Sequence, residues 1–182
     1  MAAKPRANGI DLDRLRSHSE TIRTKSGGGV KVSRASVRWL GGFRHEVRVR
    51  DLDAIFADEP EALGGGNTAP TPGDQLLGAL GSCLAIGWVA EASRRGIALN
   101  KLEVEVSGVI DSAVFLGLQD GYAGFSAINA IVRVDADVDG GLLNDVHASV
   151  IATSPVGSTL SRPVPVHIDL DSEMLNNGQA PA

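Results

Sequence analysis

Between Thr71 and Gly96 the chain reads TPGDQLLGALGSCLAIGWVAEASRRG, and both ends of the stretch are punctuated as a helix. Thr71 is a capping residue, Pro72 suits the first helical position, and Asp74 stands three residues after the cap, where its carboxylate can return a bond to the cap N–H. At the other end Arg94 and Arg95 suit the negative end of the helix dipole, and Gly96 supplies the left-handed residue that closes it. Leu76, Leu80, Cys83, Gly87 and Ala90 recur at helical spacing, and Gly78, Ala79, Gly81 and Ser82 form a surface that another backbone can approach closely. The apolar run from Leu76 to Ala90 is about 15 residues, short of the ~20 that cross a bilayer, so it reads as a buried helix. A helix apolar nearly all round is buried on more than one side. A chain of 182 residues has few ways to do that without a second long helix or a second subunit, so a homodimer is expected.

The rest of the chain supplies strands and one more helix. VKVSRASVRWL, from Val30, alternates apolar and polar residues, Gly41-Gly42 interrupts it, and RHEVRVRDL alternates again, which predicts two antiparallel strands joined by a turn. FADEPEALGGGNTAPTP reads as a loop from its proline and glycine content. After the long helix, KLEVEVSGVI and FSAINAIVRVDADV predict a strand pair around the loop DSAVFLGLQDGYAG, with Leu102, Val104 and Val106 on one face. GGLLNDVHASVIAT carries Leu143, Val146 and Val150 at helical spacing, with Pro155 marking its end or a kink. VPVHIDLD reads as a closing strand. The order strand, strand, helix, strand, strand, helix, strand is an α+β pattern. Residues 1–29, which include the flexible SGGG at Ser26 to Gly29, read as an N-terminal extension holding a short helix, residues 30–172 as a single domain, and residues 173–182 as a tail.

Composition removes several function classes. Hydrophobic residues make up 43% and charged residues 21%, the balance of an ordinary globular protein. A net charge of -5 with no dominant Lys/Arg cluster argues against a nucleic-acid partner. A single cysteine excludes an intrachain disulfide framework and a multi-cysteine metal site, and it fits a reducing cytoplasm. MAAKPRANGIDLDRLRSHSE lacks the unbroken apolar core of a secretion signal, so a cytoplasmic location and no membrane partner are expected. His18, His45 and His167 are scattered without metal-ligand spacing, and GGGN is followed by no Lys-Ser/Thr as a phosphate loop requires. Neither a cofactor nor a metal is called for.

Cys83 has two readings. As a free cysteine it is a small buried hydrophobe. As a reactive thiolate it needs a cation from elsewhere in the fold, because it lies twelve residues from Thr71, roughly 18 Å at ~1.5 Å per residue, beyond the reach of the helix dipole.

GGGNTAPTPGDQLLGALGSCLA resembles the signature of the superfamily of osmotically induced (OsmC) and organic hydroperoxide resistance (Ohr) proteins, in which a Gly-rich loop and a proline lead into a long helix bearing a peroxidatic cysteine. VHASVIATSPVGSTLSRPVPV is similar to the same family's second helix, where a Cys-Pro-Val triplet ordinarily holds a resolving cysteine. The resemblance covers roughly Val37 to Leu170. It implies an OsmC-like fold, with bent antiparallel sheets packed around two long central helices in an intertwined homodimer and active sites at the subunit interface. The activity it implies is thiol-dependent reduction of organic hydroperoxides, with Cys83 as the peroxidatic residue and Arg44, at the GGFR turn, keeping the thiol ionised. Two positions depart from the family pattern. Ser154 stands where the resolving cysteine belongs, so an external thiol reductant is required. The family's acidic partner of the arginine falls on Gly73, and Asp74, one residue on, serves equally well as the helix cap.

The remaining candidates are read structurally. His147 could be drawn as a base for Cys83 or Ser154, but with no nucleophile elbow beside it a polar or surface histidine is the simpler account. Trp39, Trp88 and Tyr122 read as core or interface packing, and Arg48 and Arg50 as the solvated face of a strand. Two functions follow. One is a single-cysteine hydroperoxide reductase whose pocket, lined by Leu76, Leu80 and Leu84, favours alkyl or lipid hydroperoxides. The other is a non-catalytic protein of the same fold that binds an apolar small molecule at the dimer interface.

Overall fold

The computed structural model describes residues 7–171, and the tail expected at residues 173–182 lies outside them. The chain opens on a single 3-10 turn at Ala7–Gly9 and a helix α1, Leu12–Thr24, capped by Asp11, whose side chain accepts from the Arg14 N–H at 3.0 Å. No residue of α1 is buried. Strands β1 (Ser36–Gly41), β2 (Arg44–Arg48) and β3 (Ile55–Ala57) form one antiparallel sheet. Helix α2 (Pro72–Arg94) leads through Gly96 to β4 (Lys101–Val109). A short helix α3 (Ser112–Phe115) interrupts the following loop before β5 (Ala127–Asp135) returns antiparallel to β4. Helices α4 (Gly140–Thr153) and α5 (Pro155–Ser161) close the described fold.

The α+β class is as the sequence predicts, and so are both ends of α2. Thr71 Oγ1 accepts from the Asp74 N–H at 3.1 Å, and Asp74 Oδ2 accepts from the Thr71 N–H at 3.0 Å, completing the reciprocal cap. Gly96 takes a φ of +72°, the left-handed conformation that glycine adopts without a Cβ penalty.

The core lies between α2, α4 and the β4–β5 ribbon. Leu80, Leu84, Trp88 and Ala92 point inward from α2 at four-residue steps and meet Val146 and Val150 of α4 together with Ile97. Val104, Val106, Ile128 and Val132 cover this cluster from the ribbon. Helices α2 and α4 approach closely at Gly87, where a Cβ would lie 2.9 Å from Val150 Cγ1. Cys83 is thus beside the core stripe and not in it.

Several expectations need correction. The first strand starts at Ser36, not Val30, and Ile55–Ala57, inside the segment read as a loop and its approach, is a strand because it pairs with β2 in the register His45↔Ala57, Val47↔Ile55. Pro155 both ends α4 and begins α5, since a proline lacking its N–H is tolerated in a first turn, and Ser154 caps that turn. VPVHIDLD forms no strand within the chain; its apolar residues stand open, Ile168 at 90% and Leu170 at 91% exposure. Within one chain α2 packs against the ribbon and α4, and its outer face stays open, Ile86 being 71% exposed. The helix is 23 residues and contains an 18-residue window with a mean hydropathy of 1.5, so by length and composition it is long and apolar enough to cross a membrane, contrary to the estimate from its central run. Its packing against β4 and α4 is that of a core helix. Of the three aromatics expected to pack, Trp88 does, while Trp39 and Tyr122 are exposed.

The β1–β3 sheet stands apart from this core. Its register places Val37, Trp39, Val47 and Ile55 on one face, which alternation along a strand requires, and Val37 and Trp39 are 64% and 73% exposed. The opposite face carries Glu46, buried and clasped by Arg38 at 2.7 Å and Arg48 at 3.0 Å. The hydrogen bond from Arg48, opposed by burial and helped by the charge of Arg38, holds Glu46 below the usual carboxylate range. Arg48 is therefore an ion-pair partner and more than a solvated residue.

Candidate active site at Cys83

Cys83 lies midway along α2, half-buried, and opens into a cavity of about 440 Å³. Ala79, Ile86 and Ala90 of α2 and Val150 of α4 make the cavity apolar, and Thr153 and Ser154 add hydroxyls. Leu80 and Leu84, expected to line it, instead enter the core, being turned roughly 60° and roughly 100° from Cys83 about the helix axis. Leu76 is not among the lining residues either.

The sulfur has one polar neighbour shown by the structure, Ser154 Oγ at 3.3 Å. Ser154 is buried and extended at the break between α4 and α5, and its Oγ also accepts the Gly157 N–H at 3.1 Å as the cap of α5. With that lone pair occupied, the hydroxyl proton is free to point at Sγ, and toward a thiolate it is the only possible donor of the pair. The two residues singled out as the peroxidatic and resolving positions, 71 apart in sequence, are thus in contact.

Arg44 and Asp74 are elsewhere. Asp74 is nine residues before Cys83, about 13 Å along the helix, and its carboxylate is taken up by Thr71, including a 2.8 Å bond from Thr71 Oγ1. Arg44 donates from a guanidinium nitrogen to Thr68 Oγ1 at 2.6 Å and stacks 4.9 Å above the Phe56 ring, outside the lining of the thiol cavity. His147 is likewise away from the sulfur. It tilts against Trp88 with ring centroids 5.8 Å apart, and both its Nδ1 and Trp88 Nε1 are buried without a hydrogen-bond partner among the described residues. The expectation of a surface histidine is corrected: His147 is half-buried at the α2–α4 seam. Among the described residues no group of His, Cys, Asp or Glu side chains gathers as a metal site.

Sequence reasoning missed Asp58. This carboxylate is 3% exposed and organises the Gly-rich loop before α2. Its Oδ1 accepts from the Glu59 and Gly66 N–H groups at 2.9 and 3.3 Å, and its Oδ2 from the Thr68 N–H and Oγ1 at 3.1 and 2.8 Å. The loop folds so tightly that a Cβ on Gly65 would land on the Glu59 carbonyl. The Thr68 hydroxyl first, then the backbone donors, hold Asp58 down to about 2 from an ordinary 3.8. Because the folded chain favours the ionised form, the stabilisation from Asp58 is complete above about pH 4 and disappears as pH falls through about 2. Asp58→Asn, which places an amide donor against donors, is expected to lower the melting temperature at neutral pH and to flatten its dependence on pH between 4 and 2. Thermal unfolding followed across that range checks this. No local pattern flags Asp58, since its partners come from up to ten residues away.

Comparison with known proteins fits this geometry. The sequence profile of the family described as OsmC-like protein matches residues 64–169, which contain Cys83, Ser154 and the helices that bring them together. The chain belongs to the OsmC-like family. Among solved structures, the OsmC-like protein of Mycoplasma pneumoniae superposes with a TM-score of 0.62 at 20% identity, covering 72% of this chain and 88% of that one. The organic hydroperoxide resistance protein OsmC of Legionella pneumophila superposes with a TM-score of 0.54 at 15% identity, covering 72% and 90%. At such identities these likenesses establish the OsmC fold. Among curated proteins none matches the sequence. The N-terminal residues through α1 lie outside the family match.

Proposed function

We propose that this OsmC-like protein is a thiol peroxidase that reduces organic hydroperoxides through Cys83 and an external thiol. The reading is carried by the Cys83 sulfur, placed in an apolar cavity 3.3 Å from the Ser154 hydroxyl on the helix that bears the family motif. In the first step the thiolate attacks a peroxide oxygen: an S–O bond forms, the O–O bond breaks, and the alkoxide leaves and takes a proton to become an alcohol. Cys83 is then a sulfenic acid. Ser154 can donate a hydrogen bond to the thiolate beforehand, but its hydroxyl cannot form a disulfide. A small-molecule or protein thiol therefore attacks the sulfenic sulfur, releasing water and leaving a mixed disulfide. A second thiol frees Cys83 and departs as the oxidised disulfide. The apolar cavity favours alkyl or lipid hydroperoxides over hydrogen peroxide, because an alkyl group gains by leaving water and a hydroxyl does not. Consumption of cumene hydroperoxide with dithiothreitol is expected for the native protein and is expected to fall to the uncatalysed rate for Cys83→Ser. Equal rates for the two would remove the enzyme reading.

The site is proposed to be completed by a second copy of the chain. Two features support a dimer: the apolar face of the β1–β3 sheet and the open apolar residues of 164–170, neither covered within one chain. Arg44 leaves the turn between β1 and β2 on that same sheet, so a partner's sheet laid over α2 would bring a guanidinium toward Cys83 that its own chain does not. Trp39→Asp, which puts a charge on the exposed apolar face, is expected to convert the dimer to a monomer in sedimentation and to abolish peroxide consumption with it.

One observation favours the second reading, a non-catalytic binder of an apolar molecule: among the described residues no cation lines the thiol cavity. Trapping of a sulfenic acid at Cys83 with dimedone after one equivalent of hydroperoxide decides between the two, being positive only for the enzyme.

A further inference from the structure

The N-terminal arm, outside the family match, is fastened to the family domain through the side chain of Asn8. In the left-handed conformation at φ +51°, which asparagine tolerates better than most residues, Asn8 donates through Nδ2 to Ser93 Oγ and to the Ile97 carbonyl, both at 2.9 Å. Its Oδ1 accepts the Leu99 N–H at 2.9 Å. A backbone N–H only donates and a carbonyl only accepts, so the amide fits this corner between α2 and β4 in one orientation. Ser93 Oγ gives its own proton to the Val89 carbonyl at 2.6 Å and so offers Asn8 a lone pair. Ser93 and Ile97 are buried, at 1% and 3% exposure, whereas α1 buries no residue. The docking of the arm thus depends on these three bonds more than on apolar packing.

The residue after Asn8 is an exposed glycine at φ +78°, with nothing within 4 Å of where a Cβ would stand. An asparagine followed by glycine is the sequence in which a chain most readily attacks its own side chain, because no Cβ shields the attacking nitrogen. The Gly9 nitrogen bonds to Asn8 Cγ, the Cγ–Nδ2 bond breaks, and ammonia leaves with the proton that the nitrogen gives up. Water then opens the five-membered imide at either carbonyl, giving aspartate or isoaspartate. While the arm is docked, three bonds hold the amide plane, and Cγ is not free to swing toward the Gly9 nitrogen. Ring closure therefore needs the corner to open first, a local event cheaper than global unfolding. The product does not fit back. Carboxylate oxygens only accept, so one still takes the Leu99 N–H while the other meets the Ile97 carbonyl and the Ser93 lone pair, a charge placed against buried acceptors. We propose that Asn8-Gly9 is a deamidation site that works as a one-way latch: docking protects it, and its conversion to a carboxylate releases the N-terminal arm from the corner of α2 and β4. The latch is independent of any chemistry at Cys83.

In the test the full chain is held in mildly alkaline buffer, either folded or in guanidinium chloride, and the gain of one mass unit at Asn8 is followed by tryptic mapping. Mapping separates this site from Asn177-Gly178, the other Asn-Gly pair, which lies outside the described residues. Deamidation at Asn8 is expected to run at least tenfold slower in the folded protein than in denaturant. Hydrogen exchange reads the release, because a helix of 13 residues is marginal in water once undocked. Amides of α1 are expected to exchange at least tenfold faster in Asn8→Asp than in the native protein, while those of α2 from Leu84 to Ala92 keep their protection. The deamidated fraction of aged native protein, which carries one more negative charge and separates on an anion exchanger, is expected to show the same fast exchange. An Asn8 that deamidates as fast folded as unfolded, or not at all in denaturant, would overturn the proposal. So would α1 exchange left unchanged in both the variant and the aged fraction.

Discussion

Ser154→Cys is expected to convert the protein from one that needs an outside thiol at the sulfenic step to one that resolves internally. After one equivalent of organic hydroperoxide, the variant should lose both free thiols and gain a disulfide between Cys83 and the introduced sulfur, with loss of water balancing the step. The native protein under the same treatment should carry a sulfenic acid that dimedone traps and excess peroxide drives to sulfinic acid. The reason is proximity: the two side chains already touch at 3.3 Å, and each is fixed by a helix, Cys83 within α2 and Ser154 at the first turn of α5. The substitution has a cost, since a thiol is a weaker acceptor than a hydroxyl for the Gly157 N–H, and a weakened cap destabilises by about 0.5–1 kcal/mol. Intact-mass measurement with and without a dithiol reductant reads the result. A variant that keeps two alkylatable thiols after peroxide treatment would show that sulfur and hydroxyl are not neighbours in solution.

The largest change in stability is expected at Trp88. The side chain is 2% exposed and joins the packing of α2, α4 and the ribbon, so Trp88→Ala is expected to cost about 3–5 kcal/mol through the cavity it leaves. Trp88→Phe tests a separate point. The indole Nε1 is buried without a partner, a defect that costs about 1–3 kcal/mol, and phenylalanine removes the donor while keeping most of the ring. The phenylalanine variant should therefore unfold close to the native denaturant midpoint, or above it, while the alanine variant falls far below. Equal losses in both would mean that the indole nitrogen is satisfied in solution.

What the sequence disclosed divides by the range of the interactions involved. The ends of α2 were legible because Thr71, Asp74 and Gly96 act on backbone within a few residues of themselves. Which face of α2 meets the core was not legible, because the helix is apolar nearly all round, and only the positions of β4 and α4 select Leu84 and Trp88, with Leu80, over the rest of the stripe containing Cys83. Strand β3 went unseen for a related reason: Ile55–Ala57 becomes a strand through pairing with β2, and nothing local announces it. Residues 164–170 show the opposite failure, a clear alternation that pairs with none of the described strands. At the site, the family resemblance located Cys83 and Ser154, and the fold joins them. It also indicated Arg44 and Asp74, yet Asp74 is spent on its cap and Arg44 leans on Thr68.

That last contact has a consequence at a distance. The Thr68 hydroxyl receives Arg44 on one side and gives its proton to Asp58 on the other. A guanidinium whose footing depends on an anion one hydroxyl away is only as steady as that anion. Neutralising Asp58, whose carboxyl is held down to about 2, would weaken the acceptor that orients the hydroxyl and let the arginine drift. The steadiness of Arg44 is thus written in the glycine loop.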